Sequence, residues 1–378
     1  MEEARKHGRL LSIDAFRVVC ALAVYLFHSN IQLGVDYGFL NGFVGKAHVF
    51  MVAFFMLSGF CLYYVDWTRG RFAEGAGLGD VRGFLKRRLL AIYPLYVAVY
   101  VLYLLDGLAA GRIPGMRAEG AVGLLDNVVA APVELPMLQS VFVGSFSFLH
   151  NGGTWFVSCI FLCYLFYPYV SAVATGNSRR NNLLLAGALY CVSSYAFLPA
   201  YRFGFAEIYA NPLLRLAEFS AGVVVGKLFV DDSGREIPKN RWWIVFACAL
   251  ALPLGIELWV RNLRSCVELF NFAAVPCFGT VLYLCARLET RHGAGRCGKT
   301  VSVLAENAYA FFLAQFFSWR PVEFLEANTD LLDGCGDFPR LAISTVWTCA
   351  LAAALHYGIE KPCRRFFGVR KAARAAAR

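Results

Sequence analysis

Residues 12–29 read SIDAFRVVCALAVYLFHS. The run is apolar apart from its two ends and Arg17, and it is long enough for a membrane-crossing helix, which needs about 20 residues. Arg17 and His28 are eleven positions apart. On an α-helix that is close to three full turns, so both side chains leave the same face, roughly 16 Å apart along the axis. Asp14 stands three residues before Arg17, at the spacing at which opposite charges pair along a helix. Ionisable side chains inside a bilayer are costly unless they find partners or line a cavity. The face carrying Asp14, Arg17 and His28 is therefore the first candidate for chemistry.

The rest of the chain agrees with a membrane setting. Of its 378 residues, 58% are hydrophobic and 16% are charged, too little charge to cover a water-soluble protein of this length. Apolar segments recur from end to end and predict an all-α fold, a polytopic membrane bundle of about ten helices. They run near 12–31, 43–65, 86–106, 154–174, 183–199, 211–230, 242–260, 267–286, 301–319 and 340–358. The segment 183–199 is short, and 43–65 is interrupted by Gly59 and polar positions. The chain reads as one membrane domain over 1–378, with a basic tail from about 360. The first helix reads as an uncleaved span, because no small-residue cleavage site follows it.

The net charge of +10 would raise nucleic acid as a partner in a soluble protein. Here the lysines and arginines gather in alternate loops, such as Arg82, Lys86, Arg87 and Arg88, and the 320–340 loop is acidic. The expectation is cytoplasmic anchoring, both termini inside and no nucleic acid. The thirteen cysteines are scattered without a CxxC pair and read as small buried hydrophobes. The six histidines are dispersed, so no metal site is expected. The long loop 107–153 is punctuated by Gly and Pro; its apolar piece 128–138 suits a segment on or in the membrane surface.

Several constellations beyond the first helix carry both a bland and a functional meaning. Ser58 and Gly59 form a small-residue step that suits close approach of a helix or a ligand. Arg87 and Arg88 serve as topology anchors or as phosphate ligands. Pro94 is expected to kink the helix they begin. Trp155, after His150-Asn151-Gly152-Gly153, suits the interfacial aromatic belt or the wall of a pocket. Arg215 and Glu218 are an i, i+3 pair in apolar surroundings, which marks either function or a fixed helix register. Glu360 suits pairing with Arg364 or Arg365.

Taken in order, these motifs resemble the acyltransferase-3 family of integral-membrane acyltransferases. The D-x-x-R pattern followed by ten residues and His is met by Asp14, Arg17 and His28. FF-x-LSGF is met by Phe54, Phe55, Leu57, Ser58, Gly59 and Phe60. R-x-x-R-I-x-P-x-Y is partly met by Arg88, Ile92, Pro94 and Tyr96, with Ala91 in place of the second arginine. Trp155 to Ser158 with Tyr164 and Pro168, then Pro212, Arg215, Glu218, Phe219 and Gly222, then Glu360 and Pro362, complete the series. Two other positions depart from the common pattern: Ile160 where many members have Glu, and Gln315 where a second His is common.

The resemblance implies transfer of an acyl group, usually acetyl from acetyl-CoA or another acyl-CoA, to a hydroxyl of a carbohydrate acceptor at the cell membrane. It implies His28 as general base or transient acyl carrier, with Arg17 and Asp14 beside it. Arg88, Arg87 and Arg17 would bind the donor, and Trp155, Ser58, Arg215, Glu218 and Glu360 would support the site. No esterase-like domain is expected after the membrane part. Two other classes stay open: a transporter or flippase of a polar metabolite, and a degenerate member acting as a sensor.

Overall fold

The computed structural model describes residues 9–70, 78–109, 130–142, 153–195, 209–233, 271–292 and 298–367, with isolated residues between 241 and 255. Within them the elements are helices and turns, and no strand occurs among the described residues. The ten longer helices are α1 (Leu11–Leu33), α2 (Phe50–Thr68), α3 (Leu78–Ala109), α4 (Trp155–Gly176), α5 (Arg179–Tyr195), α6 (Pro212–Asp231), α7 (Asn271–His292), α8 (Gly298–Ala314), α9 (Arg320–Asn328) and α10 (Asp337–Leu355).

Six stretches among the described residues are long and apolar enough to cross a membrane: Leu11–Leu33, Gly38–Thr68, Val81–Asp106, Trp155–Gly176, Asn271–Thr290 and Asp337–Phe367. That is fewer than the ten expected. Helices α5 and α8 have 17 residues each, at the short end of the range for a span. Helix α6 has 20 residues but carries Arg215, Glu218, Lys227 and Asp231. The expected helix 242–260 lies mostly outside the described residues. Helix α9 falls where a loop was expected; Pro321 in its first turn and Glu323 nearby are the local signals for a helix start.

The described chain forms two compact units. The first comprises residues 1–78, 165–209 and 213–308, and the second 79–164, 210–212 and 309–378. In the first unit, α2 is a continuous helix, so Gly59 does not interrupt it. Gly59 and Gly222 are points of close approach between α2 and α6. A Cβ at Gly59 would run into the Phe219 carbonyl, and one at Gly222 would run into the Met56 backbone. The small-residue step at Ser58-Gly59 thus receives a helix. Around it Phe55, Phe60, Phe219 and Phe229 are fully buried. Tyr167 donates to Asp66 at 2.8 Å, and Asp232 is held by Arg179 at 2.6 Å and by the Tyr283 hydroxyl at 2.8 Å.

In the second unit, α3 continues through Pro94 without a break in its helical assignment. The described part of the long loop, 130–142, buries some of its residues and leaves others exposed. Ala130, Met137, Gln139 and Ser140 are buried. The Tyr96 hydroxyl donates to the Glu134 carbonyl at 2.5 Å, and the Ser158 hydroxyl donates to the Met137 carbonyl at 2.7 Å. Gln139 Nε2 donates to the Thr154 carbonyl at 3.1 Å. These bonds satisfy loop backbone that water would otherwise have to reach, while Leu135, Val141 and Phe142 of the same segment stay exposed.

Candidate functional site

The N-terminal end of α1 is built around two carboxylates. Asp14 is buried, accepts from Arg17 Nη1 at 3.0 Å and is also paired with Arg9. Arg17 Nη2 reaches Cys61 Sγ of α2 at 3.6 Å. The pairing expected from the i, i+3 spacing is therefore present, and Asp14 is shared by two guanidinium groups. Arg9 also donates to Glu306 at 2.7 Å and to the Ser302 carbonyl at 3.2 Å. These partners hold its guanidinium above the usual arginine range, against the opposing effect of partial burial.

A second carboxylate comes from α7. Glu289 accepts from the Leu11 and Ser12 backbone N–H groups at 2.7 and 2.6 Å, and from the Ser12 hydroxyl at 2.6 Å. The first N–H groups of a helix have no partners within it, and they carry the positive end of its dipole. Glu289 caps that end from a distant part of the sequence, and no local signal could have announced it. Glu289→Ala is expected to lower stability by about 1–2 kcal/mol, as loss of a strong helix cap does. The thermal unfolding midpoint of the detergent-solubilised chain measures this; an unchanged midpoint would remove Glu289 from this role.

His28 lies two turns beyond the middle of α1. The end of the helix that bears it is fixed by Gly34, whose φ of +67° closes the helix in the left-handed conformation that glycine adopts without strain. The Ser29 and Tyr37 hydroxyls lie 2.7 Å apart, and Asn30 Nδ2 donates to the Val35 carbonyl at 2.9 Å. The His28 ring packs edge-on against Phe27 at 5.3 Å.

Phe27 in turn packs against a residue that the sequence did not single out. The His48 ring stands edge-on to Phe27 at 5.0 Å and to Tyr209 at 5.6 Å. Arg215 and His28 are both within electrostatic reach of it. Arg215 and Glu218 form a buried pair: Nη1 meets both carboxylate oxygens at 2.8 Å. Arg215 Nε donates to the Tyr209 carbonyl at 2.8 Å, and its guanidinium lies 4.8 Å from the centre of the Tyr209 ring. Asn271 Nδ2 adds a donor to Glu218 at 3.3 Å. The first unit thus gathers His28, His48, Tyr209, Arg215 and Glu218 in one neighbourhood. Arg17 and Asp14 stand along the same α1 face, roughly 16 Å and roughly 21 Å from His28 at about 1.5 Å per residue.

The second unit carries the remaining expected residues. Lys86 and Arg87 are exposed, while Arg88 is half-buried, with its guanidinium 5.5 Å from the centre of the Phe84 ring and 5.8 Å from that of Tyr164. Stacking of this kind holds a guanidinium in place while leaving its N–H edge available. Glu360 is buried and pairs with Arg364 at 2.5 Å, one of the two partners expected. Its other carboxylate oxygen lies 2.7 Å from His356 Nδ1, at hydrogen-bond distance. His356–Glu360 is a π-helical turn, a local widening that recurs at functional sites. Tyr309 lies within electrostatic reach of Glu360, Arg364 and Tyr164. Trp155 is nine residues from Tyr164 along α4. It is 7% exposed and so is packed inside rather than standing in an interfacial belt. His150 and Asn151 lie outside the described residues.

The helical, membrane-suited fold and this polar equipment agree with what a comparison with family models finds. An acyltransferase domain matches residues 10–357, from the start of α1 to the π-helical turn after α10. No curated protein and no solved structure matches the chain significantly. With nearly its whole length matched to that one domain, the chain belongs to the acyltransferase-3 family, the membrane acyltransferases whose motifs it carries.

Proposed function

We propose that this membrane acyltransferase moves an acetyl group from acetyl-CoA to a hydroxyl of a carbohydrate, a cell-surface polysaccharide or its lipid-linked precursor, at the plasma membrane. The observation that carries this reading is α1 itself. It holds an imidazole and a carboxylate-anchored guanidinium on one face of a single apolar helix. In the proposed reaction the acceptor oxygen attacks the thioester carbonyl carbon. The new C–O bond forms, the C–S bond breaks, and coenzyme A leaves as the thiolate. His28 takes the proton from the attacking hydroxyl and returns it to the departing sulfur. A neutral imidazole is suited to this near neutral pH.

The guanidinium groups serve the donor. Arg17, held by Asp14, and Arg88, with Arg87 beside it, supply planar forks of N–H donors for phosphate and carbonyl oxygens. Supporting roles fall to Ser58, Arg215 and Glu218 of the first unit and to Trp155 and Glu360 of the second. Ala91 removes one guanidinium from the α3 motif, which leaves Arg88 as its half-buried member.

Membranes containing the chain, given radiolabelled acetyl-CoA, are expected to transfer label to carbohydrate in a form released by mild base, as an ester is. Movement of a polar metabolite across vesicles without consumption of acetyl-CoA would replace this reading with a transporter. Acetyl-CoA binding without transfer or movement would point to a degenerate member.

A further inference from the structure

His48 is 7% exposed, and neither ring nitrogen has a hydrogen-bond partner among the described residues. It sits in the tight turn Ala47–Val49 that leads into α2. Its backbone carbonyl accepts from the Tyr209 hydroxyl at 3.3 Å, which holds the turn in place. The slot between Phe27 and Tyr209 is aromatic and would accept phenylalanine. Packing therefore gives no reason for an imidazole here.

An imidazole in either neutral tautomer offers one donor and one acceptor, and burying both unused is costly. The group that satisfies both at once is a hydroxyl, which donates and accepts from a single oxygen. The charged neighbours narrow the choice. Lys46 on the same segment and Arg215 on α6 bear on His48. Cationic side chains suit a neutral hydroxyl or an oxygen gaining negative charge, and they repel an ammonium group.

We infer that His48 is an acceptor-binding residue of the transfer site: its imidazole hydrogen-bonds the hydroxyl-bearing substrate and presents it to His28. This rests on the acyl-transfer reading above. It adds that the acceptor is held through hydroxyls from the α2 side, and that alcohols are preferred over amines. Tyr209 and the Arg215–Glu218 pair position His48 and do not touch the acceptor.

The test uses the full chain, wild type and the variants His48→Phe and His48→Gln, in membranes whose carbohydrate the wild type labels. Phenylalanine fills the slot without polar atoms, whereas glutamine keeps a donor and an acceptor. With acetyl-CoA saturating and a carbohydrate extract titrated as acceptor, His48→Phe is expected to raise the apparent acceptor KM at least about tenfold, the loss of one good hydrogen bond. Acetyl-CoA binding by the purified variant should stay within about twofold of wild type, and His48→Gln should recover most of the loss. Size-exclusion profiles confirm that each variant is folded; if the phenylalanine variant is not, the glutamine variant is compared with His48→Asn, whose shorter amide cannot reach as far. An unchanged acceptor KM in His48→Phe would overturn the inference, as would equal losses in folded phenylalanine and glutamine variants. A wild-type chain that transfers no label would instead overturn the acyl-transfer reading itself.

Discussion

His28→Ala is expected to reduce acetyl transfer by about a hundredfold to ten-thousandfold, the range that a positioned general base contributes, while the protein remains folded. The second half of that expectation follows from the surroundings of His28. The ring is half-buried and packs edge-on against Phe27, and the Gly34 closure and the Ser29–Tyr37 contact at this end of the helix do not involve the imidazole. Acetyl-CoA affinity should change little, because the groups assigned to the donor are Arg17, Arg87 and Arg88. Arg17→Ala should show the opposite pattern: weaker donor binding, with Asp14 still paired to Arg9. The measurements are initial transfer rates and direct binding of acetyl-CoA to detergent-purified variants. Transfer by His28→Ala within a few-fold of wild type would remove His28 from the reaction. Label retained on the wild-type protein in the absence of acceptor, and lost in His28→Ala, would make His28 an acyl carrier instead of a base.

What could be read from the sequence divides along a physical line. The Asp14–Arg17 and Arg215–Glu218 pairs are three residues apart, and a helix brings such residues together whatever else the chain does. Both pairs are present as expected. Glu289 caps α1 from 277 residues away, and His48 meets Tyr209 across 161. Only tertiary packing creates those contacts, and neither residue sits in a pattern that marks it. Gly59 shows the same limit from the other side. It looks like a helix breaker in isolation, because glycine weakens a helix interior. Set against the Phe219 carbonyl of α6, it is what allows two helices to touch. Hydropathy predicts ten spans, and six stretches among the described residues qualify by length and composition. Helices α5, α6 and α8 are helical as expected but are not among those six. Apolar periodicity reports a buried face, and in a bundle a neighbouring helix can supply that burial as well as lipid can.

The Arg215–Glu218 pair yields the largest expected effect on stability, and the two halves of the pair should not be equivalent. Both side chains are buried. Breaking a buried pair by removing one partner costs about 3–5 kcal/mol, because the other charge is left uncompensated. A lone carboxylate can shed its charge by taking up a proton; a guanidinium cannot. Glu218 would also keep Asn271 as a donor. Glu218→Ala leaves a permanent cation beside Phe55 and Tyr209 without its carboxylate, still donating to the Tyr209 carbonyl. Glu218→Ala should therefore be more destabilising than Arg215→Ala, and the double variant Arg215→Met, Glu218→Leu should be closer to wild type than either, since apolar residues of similar volume replace buried pairs at little cost. Unfolding midpoints of the four proteins in one detergent measure the order. If Arg215→Ala is the worse single variant, the pair is not the source of the cost, and the ring contacts of Arg215 are. The double variant also separates stability from chemistry. It keeps the fold but removes the cation that bears on His48, so a folded double variant that still transfers acetyl at the wild-type rate would confine the pair to fixing α6 in register.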